Sequence, residues 1–174
     1  MLHEGYNTKT KPTFKNDIAV IVIDPLNFND PKVQPIEMFT NSDEEITPGS
    51  YCISIGCSNS RPSRTKHASH IVDSEVISEE SCKNEYSKID AIITSTNICA
   101  RKPCADINGS FPCRGDSGAP LVCPDSRGKI RLAGLVSFGF QSCRLSSTIV
   151  FTKISSFKDW ILHRLNMIFI KNIE

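Results

Sequence analysis

Apolar and polar positions divide the chain into three unlike stretches. Asp17 to Ile23 reads Asp-Ile-Ala-Val-Ile-Val-Ile, a continuous β-branched run that predicts a buried strand, and Asp24-Pro25 closes it. Between Pro31 and Gly49 the chain is polar and punctuated by Pro31, Pro35 and Pro48, which suits a segment crossing a surface between two halves. From Ser50 onward, short strand-like runs alternate with turn signals. The clearest are Cys52-Ile-Ser-Ile-Gly56, Pro120-Leu-Val-Cys123, Ile130 to Phe138 and Thr148 to Ile154. Asp125-Ser-Arg-Gly128 is a tight turn joining two of these. Ser156, three residues before Asp159, approximates a capping box, and Phe157, Trp160, Ile161, Leu165 and Ile168 share one helical face. The pattern predicts an all-β chain closed by one helix docked on the β core.

Composition narrows the class without naming a function. With 174 residues, 39% hydrophobic and 22% charged, this is an ordinary globular chain, and one domain is the natural expectation. A formal net charge of +1 gives no ground for nucleic acid or an acidic membrane as partner. The locally basic stretch from Arg61 to His70 reads as a solvated loop. Eight cysteines imply a disulfide framework and an oxidising compartment. The opening Met1-Leu-His-Glu-Gly-Tyr-Asn has none of the features of a signal peptide, so a front segment is expected to be missing. No later segment is apolar for long enough to span a membrane. Cys52-x4-Cys57 and Cys99-x4-Cys104, with His67 or His70, form at most a weak zinc pattern, and neither a metal nor a cofactor is expected.

The chemistry concentrates in Cys113-Arg-Gly-Asp-Ser-Gly-Ala-Pro-Leu-Val-Cys123. A serine flanked by glycines in a tight turn before a strand presents its hydroxyl in the open, where neighbouring N–H groups converge on a developing oxyanion. This segment resembles the nucleophile loop of the trypsin/chymotrypsin family of serine endopeptidases. Asn16-Asp-Ile-Ala-Val20 resembles the strand carrying that family's catalytic aspartate. Gly134-Leu-Val-Ser-Phe-Gly139 resembles the strand lining its substrate cleft, and Phe151 to Ile161 its last strand and closing helix. Order and spacing agree over nearly the whole chain, although only the later part of the family domain is covered.

The resemblance implies a double β-barrel with the first barrel incomplete, the second complete, and a C-terminal α-helix. Residues 1–30 would be the remnant of the first barrel, 31–49 the inter-barrel linker, 50–154 the second barrel and 155–170 the helix. It makes Ser117 the nucleophile and Asp17 the acid that orients the base, with Gly115 and Ser117 supplying oxyanion-hole N–H groups. Asp116 becomes the buried carboxylate that receives a new N-terminal ammonium after zymogen cleavage. Phe111, Ser137, Phe138, Gly139 and Ile149 fall on substrate-binding positions. Phe111 replaces the pocket-base aspartate of trypsin-like members and Ile149 a pocket-wall glycine, so a pocket for small apolar side chains, or a blocked one, is expected rather than Lys or Arg recognition. Family bridges match Cys52–Cys123, Cys82–Cys99 and Cys113–Cys143. Cys57 and Cys104 are left to pair with each other or with a segment outside this sequence.

One departure governs the functional expectation. The family's catalytic histidine precedes the aspartate by several strands, and here only His3 precedes Asp17, within a turn-like segment. Without a general base a serine hydroxyl stays protonated, and losing that base costs on the order of a millionfold in turnover in enzymes of this chemistry. The segment carrying the activation terminus is likewise unmatched, so a loose, zymogen-like oxyanion hole is expected. Two readings follow. In one, the chain is a truncated form of a secreted, monomeric serine endopeptidase acting on peptide or protein substrates and met by protease inhibitors. In the other, it is a non-catalytic homologue that binds or regulates. Arg114-Gly-Asp116 spells an adhesion tripeptide but lies inside the nucleophile loop, where chance explains it.

Overall fold

A computed structural model describes residues 1–7, 14–40, 46–56, 70–89, 91–103, 115–140 and 148–171. Six strands form a closed barrel: β1 (Tyr51–Gly56), β2 (His70–Ile77), β3 (Asn97–Arg101), β4 (Pro120–Pro124), β5 (Ile130–Gly139) and β6 (Ile149–Lys153). They run in the order β1-β2-β3-β6-β5-β4, every neighbouring pair antiparallel. Helix α1 (Glu79–Tyr86) joins β2 to β3, and α2 (Lys158–Lys171) closes the chain. The expected fold class, a complete barrel followed by a helix, is therefore present. Among the described residues, no helix is long and apolar enough to cross a membrane.

The barrel forms because alternation delivers one face of each strand inward. β1 buries Cys52, Ser54 and Gly56 and exposes Tyr51, Ile53 and Ile55. Leu121, Val72, Phe151 and Val136 meet in the interior with Cys52 and Cys123. Those two cysteines are disulfide-bonded across 71 residues, pinning β1 to β4. Gly134 is required by crowding, since a Cβ there would stand 2.9 Å from Phe151 Cβ. The turn Asp125 to Gly128 is built as its sequence predicts. Asp125 accepts from the Arg127 and Lys129 amides at 2.9 Å and from Arg131 Nε at 2.8 Å, and Gly128 adopts φ 79°. The Arg131 hydrogen bond holds the Asp125 carboxyl below its ordinary pKa.

Helix α1 escapes a periodicity reading because it buries only Cys82 and Tyr86. Its start is set locally. Ser78 Oγ accepts from Ser81 N at 3.1 Å, and Glu79 and Glu80 occupy the first turn. A Cys82–Cys99 disulfide ties the helix to β3.

Two expectations are corrected. The Asp17–Ile23 run is not a buried strand. Ile18 is buried, but Ile21 is 80% exposed and Val22 and Ile23 are each 63% exposed. Its pairing among the described residues is a single bridge from Ala19 to Leu2, so nothing there covers the outer apolar positions. Ser156 does not cap α2 either. It lies within a 3₁₀ turn (Ile154–Phe157), and its hydroxyl donates to Ser95 O at 3.4 Å. The helix face itself docks as its periodicity predicts: Phe157, Ile161, Trp160 and Leu165 pack with Ile18, Leu132 and Leu135. This cluster fastens the N-terminal segment to the barrel.

Candidate active site

Ser117 stands exposed in the turn that leads into β4. Gly115 (φ 103°) and Gly118 (φ 82°) flank it in the left-handed region, where a β-carbon is strained. Space is not the reason at Gly118, because a Cβ there would meet nothing within 4 Å. Ala119 N donates to Asp116 O at 2.9 Å and closes the turn. Gly118 N donates to Val136 O, and Val136 N to Ala119 O, both at 2.8 Å, so the turn is clipped to β5 beside Ser137. The Asp116 side chain points inward and is 2% exposed. The N–H groups of Gly115 and Ser117 make no backbone hydrogen bond among the described residues.

Asp17 reaches the same region from a distant part of the sequence. Asn16 takes φ 52°, a conformation that asparagine tolerates better than most residues, and its Nδ2 donates to Gly5 O at 3.1 Å. This bend delivers the Asp17 carboxylate to Ser137, whose Oγ donates to Oδ2 at 2.6 Å. Thr152 Oγ1 donates to the Asp17 carbonyl at 2.8 Å and fixes the backbone as well. Ser137 sits where the β5–β6 register slips between Val136 and Phe138, an irregularity of the kind that re-aims a side chain near active sites.

Beyond Ser137, β5 continues through Phe138 and Gly139. A Cβ on Gly139 would lie 2.6 Å from Ile149 Cδ1, so the Ile149 side chain already fills the space beside that glycine. Tyr86, which sequence reasoning passed over, supports this end of β5. It is fully buried, meets Phe138 edge-on at 5.6 Å and stacks on Phe140 at 4.7 Å. Its hydroxyl donates to Thr148 O at 2.6 Å. Burial, then the charge of Glu85, raises the Tyr86 pKa well above its ordinary value, so the hydroxyl remains a donor. The available signal was its spacing of four residues from Cys82 on α1.

Among the described residues, Ser137 is the hydrogen-bond partner of the Asp17 carboxylate. His3 is engaged elsewhere. Its Nδ1 accepts from Gly5 N at 3.0 Å, and its ring packs against Phe157 and Trp160. Desolvation first, and the nearby Arg164 charge second, hold the His3 pKa below its ordinary value. His163 is exposed on α2. Phe111, Cys113, Arg114, Cys143, Cys57, Cys104 and His67 lie outside the described residues, as do the pairings assigned to those cysteines. Cys52 and Cys99 are held in disulfides, which removes them as zinc ligands.

This arrangement of turn, carboxylate and cleft strand coincides with a family match. Residues 1–161 match the Trypsin family. The chain belongs to the trypsin family of serine proteases. It is 28% identical over 170 residues to the clotting factor G beta subunit of Tachypleus tridentatus, covering 92% of this chain and 53% of that protein. It is 31% identical over 164 residues to kallikrein-11 of Homo sapiens, covering 91% and 53%. To granzyme M of Rattus norvegicus it is 27% identical over 162 residues, covering 91% and 58%. The chain thus spans a little over half the length of these relatives.

Proposed function

We propose that this chain carries the nucleophile-bearing part of a serine endopeptidase and that it is catalytically silent on its own. The observation that carries the reading is the Asp17 carboxylate held by Ser137 at 2.6 Å, on the strand to which the exposed Ser117 turn is clipped. In the complete reaction, Ser117 Oγ attacks the scissile carbonyl carbon and passes its proton to a histidine oriented by Asp17. The carbonyl π electrons move to oxygen, where the N–H groups of Gly115 and Ser117 stabilise the charge. Collapse expels the amine, which takes the proton from the histidine, and water then releases the acid from the acyl-enzyme. The histidine is the part that neither His3 nor His163 furnishes.

Further features support the finer reading. The buried Asp116 suits a carboxylate that receives a zymogen-derived ammonium. Ile149 beside Gly139 suits a substrate side chain that is small and apolar, or a closed pocket. Two disulfides suit a secreted protein. The engagement of His3 with Gly5 and the filled space at Gly139 favour a second reading, a binding homologue that uses the cleft without chemistry.

A fluorophosphonate probe tests both. The 174-residue chain should label no faster than its Ser117→Ala variant. Protein isolated from its natural source should label at Ser117 if the complete form is a peptidase. Peptide hydrolysis by the isolated chain that disappears in Ser117→Ala would overturn the claim of silence. A source protein unlabelled at Ser117 would leave the binding reading in its place.

A further inference from the structure

Residues 3–5 meet α2 through a small set of polar contacts that the candidate site does not use. His3 lies 4.9 Å from the Trp160 ring and edge-on to Phe157 at 5.6 Å. Its Nδ1 accepts from Gly5 N at 3.0 Å, so the neutral ring carries its proton on Nε2. Gly5 fits because it has no side chain: a Cβ there would stand 3.4 Å from the imidazole and 2.6 Å from Asn16 Nδ2. Glu4 reaches α2 directly. Its Oε2 accepts from Trp160 Nε1 at 2.9 Å, and its Oε1 pairs with Arg164. The Arg164 guanidinium lies over the Trp160 ring at 5.6 Å. The charged groups facing His3 are therefore Glu4 of its own segment, 3.9 Å from Nδ1, and Arg164 of α2.

We propose that this contact is a pH-operated clasp, closed while His3 is neutral and opened when His3 takes a proton. The switch is the single acceptor. An imidazolium has two N–H donors and no acceptor, so protonated Nδ1 confronts the Gly5 N–H with a second donor and their bond is lost. The alternative partner is the Glu4 carboxylate, whose Oε2 already serves Trp160. Charge shared with His3 is withdrawn from Trp160 and Arg164, the two groups that fasten Glu4 to α2. Glu4 and the Trp160 π face favour the imidazolium, whereas burial and Arg164 oppose it. The opposition prevails, and the folded pKa lies below its ordinary value. The closed form thus binds the proton less tightly than an open one does. The clasp is intact above the ordinary pKa of about 6.5 and is lost as pH falls through the lower folded value. The His3 side chain is 19% exposed, open enough to exchange a proton with water. Ser137 and Thr152 hold Asp17 from the barrel, and Ile18 packs on Phe157 and Ile161, so the opening is confined to the segment ahead of them. None of these contacts depends on the peptidase reading.

Trp160 is the chain's one tryptophan, so its emission maximum reports on the clasp directly. The test titrates the whole chain from about pH 8 to about pH 4.5, with the His3 ring proton on Cε1 followed by NMR. Wavelength is read rather than intensity, because an imidazolium quenches a nearby indole even where nothing moves. The maximum should shift to the red as His3 titrates, with a midpoint below about 6.5 and unchanged far-ultraviolet circular dichroism. His3→Asn supplies an oxygen acceptor for the Gly5 amide with no proton to gain, so its red shift should be absent. Glu4→Gln keeps the ring but leaves Arg164 unneutralised, so its midpoint should move to lower pH. A His3 ring that titrates without moving the emission maximum would overturn the clasp, as would a ring still neutral at the acid end. A red shift that persists in His3→Asn would overturn it in favour of His163, three positions from Trp160 on α2. A red shift that comes with loss of the circular dichroism signal is global unfolding and would overturn it as well.

Discussion

The contact between Ser137 and Asp17 joins residues 120 positions apart, and it should be measurable as a coupling energy whether or not the chain has activity. The perturbation is a double-mutant cycle of Asp17→Ala, Ser137→Ala and the pair together. At 2.6 Å the bond is short and charge-assisted, a kind that contributes about 1.5–3 kcal/mol. Both side chains are half-buried, so water competes for each partner once the other is removed. The expected coupling is therefore at the lower end, about 1.5 kcal/mol. Asp17→Ala leaves its backbone carbonyl to accept from Thr152, so the cycle isolates the carboxylate rather than the whole segment. The assay is urea unfolding of the oxidised proteins, read by near-ultraviolet circular dichroism. A single loss of that size lowers the thermal midpoint of a chain this long by about 3–6 °C. If the two single losses sum to within about 0.5 kcal/mol of the double, the carboxylate is not held by Ser137. Asp17 is then not positioned in advance of any histidine.

Three smaller tests examine the surroundings. Tyr86→Phe keeps the ring but withdraws the hydroxyl from Thr148 O; it should cost about 1–2 kcal/mol in urea unfolding, and no loss would mean that water replaces the donor. Gly139→Ala should cost about 1–3 kcal/mol because its Cβ would meet Ile149 Cδ1, and the added loss should vanish in an Ile149→Ala background; an equal loss in both backgrounds would show that Ile149 is not the obstacle. His3 has a folded pKa below its unfolded value, so the unfolded chain binds the proton more tightly. Its stabilising effect is complete above the unfolded pKa of about 6.5 and falls away as pH drops towards the lower folded value. Unfolding midpoints at pH 7.5 and 5 should therefore converge in His3→Gln relative to the parent, and an unchanged pH dependence would remove His3 as its source.

What the sequence made legible was what local chemistry dictates. The Gly115–Gly118 turn needs positive φ on either side of Ser117, and glycine is the residue that supplies it, so the turn around Ser117 is visible as a string of letters. β4 and β6 show as apolar runs because each buries most of its length, and β5 because its apolar positions are buried or half-buried. β2 hides because its outward Asp73 and Glu75 break the apolar run, and α1 hides because two buried side chains make no stripe. The Asp17–Ile23 run misleads for a related reason. A β-branched run reports what the chain is able to bury, whereas burial is decided by what arrives to cover it. Only Ile18 meets such a cover, from Ile154, Phe157 and Ile161 of the closing segment.

The same distinction governs the site. Ser117 follows from its own turn, and Asp17 from its apolar run and a family resemblance. The reach of Asp17 to Ser137 depends on one local fixture, the left-handed Asn16, and on two remote ones, the bond from Thr152 and the register slip at Ser137. The two remote ones have no signature in the local sequence, because each is a relation between segments rather than a property of one. The fixtures hold the acid in place without drawing on the nucleophile turn or on any histidine. Asp17 is thus held by Ser137 and Thr152, with no part taken by His3 or His163. Stability measurements on Asp17 and Ser137 therefore report on this geometry before any activity does, in a chain whose His3 is engaged with Gly5 and whose His163 is exposed on α2.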